Sequence, residues 1–215
     1  MAKIGLIGEK IGMTRIFDAE GNMVPVTVIK AGPCPVVQIK TIEKDGYTAV
    51  KIAYREAKEG KLNKPEAGVF KKANVKPHKY LKEIRVDNID GIKVGDILTV
   101  EQFTENDYVD ISGKSKGKGF QGVVKRWGFS GGPKTHGQTD KWRAPGSIGN
   151  CADPGRVIKG KRMPGRMGFH TVTVQNLKVV KVFPEENLLV VKGSVPGPRG
   201  RIVLIKSAIK KKVTQ

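Results

Sequence analysis

Gly113-Lys114-Ser115-Lys116-Gly117-Lys118-Gly119-Phe120-Gln121-Gly122-Val123-Val124-Lys125-Arg126-Trp127 is the stretch at which this chain changes character. Lys plus Arg exceed Asp plus Glu by 2 over residues 1–110, by 11 over residues 111–170 and by 7 over residues 171–215, so more than half of the net charge of +20 falls in the middle block. The same block holds 14 of the 27 glycines and both tryptophans, but its aliphatic residues are only Ile111, Val123, Val124, Ile148, Val157 and Ile158. So few aliphatics cannot bury an ordinary core, and a segment this cationic is expected to stay disordered in isolation. Laid against a polyanion, the composition makes sense: phosphates neutralise Lys and Arg with release of counterions, and Gly lets the backbone approach closely. Trp and His can stack on bases, and Phe120, Trp127, Phe129, His136, Trp142 and Phe169 punctuate the block with rings that a solvated linker would not need.

Outward from this block, both ends of the chain read as β-structure. Met13 to Phe17 and Met23 to Lys30 flank the turn residues Asp18 to Asn22, the pattern of a hairpin. Val36 to Thr41 and Thr48 to Tyr54 follow, with Val50 and Ile52 pointing one way. Asn63-Lys64-Pro65-Glu66 opens a short peripheral helix to about Lys72, with Pro early and an acid beside the positive dipole end. Val75 to Arg85 is expected to be an extended connection, with His78 at the surface among lysines, and Val94 to Val100 a strand. Thr171 to Val174, Lys178 to Phe183 and Leu188 to Lys192 alternate around a Pro184-Glu185-Glu186-Asn187 turn, and Arg201 to Lys206 adds a strand before the Lys210-Lys211-Lys212 tail. The fold expected is mainly β: a closed β-barrel formed by residues 1–114 and 169–215, a small helical insertion near 63–85, and a long extended basic loop, or finger, over 115–168.

Several chemistries lack the residues they need. The apolar N-terminal stretch Met1 to Met13 is interrupted by Gly5, Gly8, Glu9 and Lys10, unlike a signal peptide, and there is no run of about eighteen apolar residues, so no membrane partner is expected. Cys34 and Cys151 stand far apart, as a core and a loop residue in a reducing compartment. His78, His136 and His170 are scattered, so neither a metal nor a catalytic triad is nominated, and no cofactor or small-molecule substrate is expected. Gly117 to Gly122 satisfies the G-x-G-x-x-G fingerprint, yet Ser130 to Gly137 leaves no room for a crossover helix and second parallel strand. Its backbone N–H groups, at the start of a helix expected over Phe120 to Trp127, suit an RNA phosphate instead. Two other classes are an RNA-processing enzyme, which would require a base or metal site in the finger, and a DNA-architectural protein wedging Trp127 or Trp142 between base steps, which equal or stronger binding to duplex DNA than to structured rRNA would favour.

The residues assigned to RNA are Lys114, Lys116, Lys118, Lys125, Arg126 and Trp127 on the leading arm, and Lys134, His136, Lys141, Trp142 and Arg143 beyond it. Arg156, Lys159, Lys161, Arg162 and Arg166 face them on the returning arm. Between the arms, Gly146, Ser147, Ile148, Gly149, Asn150, Cys151, Ala152, Asp153, Pro154 and Gly155 read as the tip of a hairpin threading between RNA helices.

Phe103, Asp110, Gly113, Ser115, Gly117-Lys118-Gly119, Gly122 and Arg126 stand at the spacing of a known signature. Ile11 to Phe17, Thr135-His136-Gly137, Pro145 to Gly149, Pro164 to Gly168 and Val195-Pro196-Gly197 extend the match, and on these residues the chain resembles the bacterial ribosomal protein L3 family over essentially its whole length. The resemblance implies a translation-protein-type barrel and a finger that runs through the large rRNA toward the peptidyl transferase centre. It also implies binding to the 3′ domain of 23S rRNA early in subunit assembly and contact with neighbouring large-subunit ribosomal proteins. Its location would be cytoplasmic and ribosome-bound, and antibiotics of the catalytic centre would be affected only indirectly. Some relatives carry a methylated glutamine in the tip; the matching position here is Ala152, so that modification is not expected.

Overall fold

A computed structural model describes residues 4–58, 60–86, 89 and 91–211; the first residues of the apolar N-terminal stretch and Lys212 of the basic tail lie outside them. The chain is mainly β and divides into two units, one of residues 1–114 with 171–215 and one of residues 115–170. In chain order the first unit contains β1 (Leu6–Phe17), β2 (Met23–Ala31), β3 (Cys34–Lys40), α1 (Ile42–Asp45), β4 (Ala49–Glu56), α2 (Lys64–Ala73) and β5 (His78–Arg85). β6 (Ile97–Leu98), a 3-10 turn (Val100–Gln102) and β7 (Tyr108–Lys114) follow. The second unit contributes β8 (Phe120–Gln121), α3 (Val123–Trp127) and β9 (Gly165–Arg166), after which β10 (Thr171–Phe183), β11 (Leu188–Lys192) and β12 (Ile202–Ser207) complete the first.

Six antiparallel strands close on themselves in the order β1-β12-β7-β10-β11-β2, so the ladder satisfies their backbone groups with no open sheet edge along the paired registers. Inside lie Leu6, Ile29, Val109, Ile111, Val179, Leu189, Val191, Val203 and Ile205, all essentially inaccessible, while Ile7, next to Leu6 on β1, is buried on the opposite face. A second sheet, β5-β4-β3-β6, shares that core through Val36, Val50, Ile52 and Ile84. Its other face, presented by Val37 and Ala53, is covered by Phe70 and Ala73 of α2. This sheet therefore has both faces covered where α2 sits, which is why β3 starts with four consecutive buried residues rather than an alternating pattern.

Three sequence expectations are corrected here. Residues 78–85 form strand β5, paired with β4 from Ala49↔Arg85 to Glu56↔His78, rather than an extended connection. His78 is consequently buried, its Nδ1 2.6 Å from the Lys76 carbonyl and its ring centroid 6.0 Å from that of Phe70. The strand expected over 94–100 shrinks to Ile97–Leu98, paired with Pro35 and Cys34; before it Gly95 and Asp96 bond the Val36 backbone from a turn, and after it the chain enters the 3-10 segment. The helix 64–73 matches its sequence signals, with the Glu66 carboxylate accepting from the Asn63 N–H at 3.4 Å.

Lys10 and Asp110 are charged side chains buried at structural joints. Lys10 donates through Nζ to the Val195 carbonyl at 2.7 Å and the Gly197 carbonyl at 3.1 Å, holding the loop between β11 and β12. Asp110 accepts from the Asn176 N–H at 2.8 Å and the Ile209 N–H at 3.2 Å. The ladder between β7 and β10 slips between Val174 and Leu177, and Asn176 adopts a left-handed backbone with φ of 57°, so the Asp110 carboxylate serves an N–H that the bulge has taken out of register. Replacing Asp110 by Ala strands two backbone donors, and is expected to lower the unfolding free energy by about 2–4 kcal/mol, read as a lower urea midpoint at unchanged slope.

Burial pushes the Cys34 thiol up to about 12 and the Tyr54 hydroxyl up to about 12, from ordinary values of 9.0 and 10.0. Both folded values lie above the unfolded ones, so the fold prefers the neutral forms, and the stability they contribute is complete below pH 9 and declines as pH rises from there toward 12. Unfolding free energy measured by denaturant titration from pH 7 to pH 11 should be flat from this source until about pH 9 and then fall. In the same native protein exposed Cys151 should react rapidly with a thiol reagent while buried Cys34 does not.

Candidate nucleic-acid interface

The 115–170 unit contains little regular structure, and its order comes from particular hydrogen bonds. Its two chain ends lie side by side: the Ser115 N–H donates to the His170 carbonyl at 2.9 Å, Lys118 N–H to Met167 O at 3.0 Å and Met167 N–H to Gly119 O at 2.9 Å. β8 then pairs with β9 through Phe120↔Arg166 and Gln121↔Gly165. Sequence reasoning assigned Phe120 and Gln121 to a helix; cross-chain pairing with residues some forty-five positions away claims them as strand, and the helix is only Val123–Trp127. It ends at Gly128, whose φ of 75° suits a residue without Cβ. A helix of about a turn carries little macrodipole, so the expected phosphate site at its start gains no support from this geometry.

Between Trp127 and β9 the arms carry no ladder, and 146–155 is irregular apart from bends at 149 and 151 and a turn at 152–154, not a paired hairpin tip. A cross-link between distant parts of the loop is the Gly132 N–H donating to the Trp142 carbonyl at 2.8 Å. At the tip the Ser147 hydroxyl donates to Gly149 O at 2.8 Å, and Gly146 to Gly155 are all exposed.

Lys114, Lys116, Lys118, Lys125, Lys134, His136, Lys141, Trp142, Arg143, Arg156, Lys159, Lys161, Arg162 and Arg166 are exposed, as is Trp127; Arg126 alone of the assigned residues is half-buried. Sequence reasoning left Phe120 out of the assigned interface, yet it is 76% exposed, a large bare ring amid lysines. In the first unit, ion pairs join Lys40 with Asp45 and Glu83, Lys51 with Glu83, Arg55 with Glu9, and Lys76 with Glu56. The Glu83 carboxyl of that network is shifted down on balance: burial pushes it up, but the Tyr47 hydroxyl bond and the Lys40 and Lys51 charges outweigh this. A cleft of about 760 Å³ in the first unit, lined by Lys30, Tyr54 and His78, has its Glu9, Arg55, Glu56 and Lys76 charges paired in this way. In the second unit, the Asp140 and Asp153 carboxylates pair with no cation among the described residues.

Glycines shape this unit where backbones approach. At Gly168, φ is 75° and a Cβ would strike the Lys116 carbonyl, so the two arms meet there only because a side chain is missing. Gly168→Ala should loosen the paired ends, and amide exchange should show faster loss of protection at Ser115, Lys118 and Met167, where the wild-type bonds are.

Among the described residues no three His, Cys, Asp or Glu side chains come together as metal ligands, and no helix is long and apolar enough to cross a membrane. What remains is a closed β-sheet unit joined to a glycine-rich unit whose cations face solvent, the construction of a polyanion-binding protein. The family model for ribosomal protein L3 matches residues 83–187. The protein named large ribosomal subunit protein uL3 from Carboxydothermus hydrogenoformans is 55% identical over 97% of this chain and 99% of its own length. Its namesakes from Acidothermus cellulolyticus and Fervidobacterium nodosum are 52% and 54% identical, over 98% and 95% of this chain and 95% and 98% of theirs. The chain belongs to the ribosomal protein L3 family, whose members are structural ribosomal proteins and not enzymes.

Proposed function

We propose that this chain is a structural constituent of the large ribosomal subunit, that its 115–170 unit binds the 3′ domain of 23S rRNA, and that this binding helps nucleate subunit assembly. The observation that carries the reading is the set of exposed cations in 115–170 with no carboxylate paired to them among the described residues. Such charges repel one another in the free protein and are relieved by phosphates, so affinity is electrostatic and salt-dependent. The relatives' name, large ribosomal subunit protein, supports the subunit assignment. In this reading the closed sheet is of the translation-protein type and anchors the molecule, and residues 115–168 act as the finger. Its tip, Gly146 to Gly155, approaches and helps shape the peptidyl transferase centre. The partners are 23S rRNA and neighbouring ribosomal proteins on cytoplasmic ribosomes, with antibiotics of that centre touched only indirectly.

The test is binding of the full chain to a large-subunit rRNA fragment across salt concentrations. The logarithm of affinity should fall linearly with the logarithm of salt, and replacing both Lys159 and Lys161 by Ala should shallow that slope by about two. Asn150→Ala, in the tip, should leave affinity within about twofold and instead alter peptidyl transfer or antibiotic response in assembled subunits. Affinity indifferent to salt would refute the reading.

A further inference from the structure

We propose that Arg126, Trp127 and Arg162 form a preorganised two-guanidinium clamp for RNA phosphodiesters, built before any RNA arrives; the proposal rests on the rRNA-binding reading above. The Arg126 and Arg162 guanidiniums lie 4.9 Å and 5.6 Å from the centre of the Trp127 ring. One carbonyl fixes Arg126 and the ring: Met163 O accepts from Arg126 Nη1 at 2.8 Å and from Trp127 Nε1 at 2.9 Å. Those two bonds tie α3 to the returning arm next to Arg162, whose guanidinium reaches the Trp127 ring that the carbonyl holds.

Gly165 makes the arrangement possible. A Cβ there would occupy the place of the Arg126 guanidinium, while the Gly165 backbone pairs with Gln121 in an ordinary strand register. The missing side chain is thus a seat for the arginine rather than a need for an unusual backbone.

The charges identify the ligand. Two guanidiniums lie against one indole ring, and among the described residues neither has a carboxylate partner. Held at one ring, these like charges repel each other and are relieved by an anion. Planar guanidiniums retain N–H donors for the paired oxygens of a phosphate. Trp127 remains 40% exposed, so the clamp opens to solvent on a unit whose neighbouring charges are also positive. Phosphate oxyanions are the shared chemistry, and the RNA backbone is the source we assign.

Gly165→Ala and Trp127→Leu remove no charge, yet the first displaces Arg126 and the second removes the ring that holds both arginines. Each should weaken binding of the full chain to a large-subunit rRNA fragment by roughly tenfold. Arg126→Lys with Arg162→Lys, also charge-neutral, should do the same, because ammonium groups neither stack nor bind bidentately. Circular dichroism and urea unfolding of Gly165→Ala, whose only conflict is with the movable end of a side chain, should match the wild type and separate lost binding from lost folding. Wild-type affinity in all three variants would overturn the clamp while leaving the salt-dependent rRNA reading intact. Failure of the wild type to bind rRNA would overturn both. Exchanging chloride for inorganic phosphate at constant ionic strength should preserve the difference between wild type and Gly165→Ala; its disappearance would mean that free phosphate fills the site and would overturn the assignment to RNA.

Discussion

The antiparallel pairing of β7 with β10, which sets Lys114 opposite Thr171, is the constraint on which the rest of the molecule depends. A long basic excursion is inserted between two strands that are neighbours in the closed sheet, so the barrel ladder closes without it. The entropy of closing such a loop grows only slowly with its length, and pairing at its base removes much of what remains. Asp110 reinforces that base by satisfying the bulged Asn176 N–H on β10 and the Ile209 N–H just past β12. It is one of the signature residues, and its structural reason is plain: without it, two N–H groups at the joint of three strands lose their acceptor.

The two units are stabilised by different physics. Residues 1–114 and 171–215 bury a continuous set of Leu, Ile and Val between the closed sheet, the β5-β4-β3-β6 sheet and α2. Residues 115–170 have one fully buried aliphatic, Val123, and depend on a few hydrogen bonds and on guanidinium–ring contacts such as Arg126 and Arg162 on Trp127 and Arg166 on Phe169. The first arrangement is indifferent to a partner. In the second, positive charges accumulate without compensation, which is tolerable on a surface meant to meet an anion.

Local patterns were legible wherever their causes are local. The turn at 18–22 between two β-branched runs, the Pro and Glu at the start of α2, and the alternation of β10 and β11 all appear in the structure, with ends shifted by a few residues. His78 was misread because its neighbours Lys76 and Lys79 are polar, whereas its burial comes from β4 beside it and Phe70 against it. Lys10 looked like an interruption of an apolar stretch; its ammonium in fact caps carbonyls of Val195 and Gly197, far along the chain. Phe120 and Gln121 looked helical because the strand that captures them, Gly165-Arg166, is two residues long and distant.

By itself the sequence determined the β-rich ends, the uneven distribution of charge and the motif set that marks the family, since composition, alternation and short spacings are properties of neighbouring residues. Only the tertiary structure decided the strand order β1-β12-β7-β10-β11-β2, the burial of Lys10, His78 and Asp110, the bonds of Arg126 and Trp127 to the Met163 carbonyl, and the approach of Arg162 to the Trp127 ring. Each of these depends on which distant backbone groups meet, and a missing Cβ at Gly165 carries meaning only once the residue that fills its space is known.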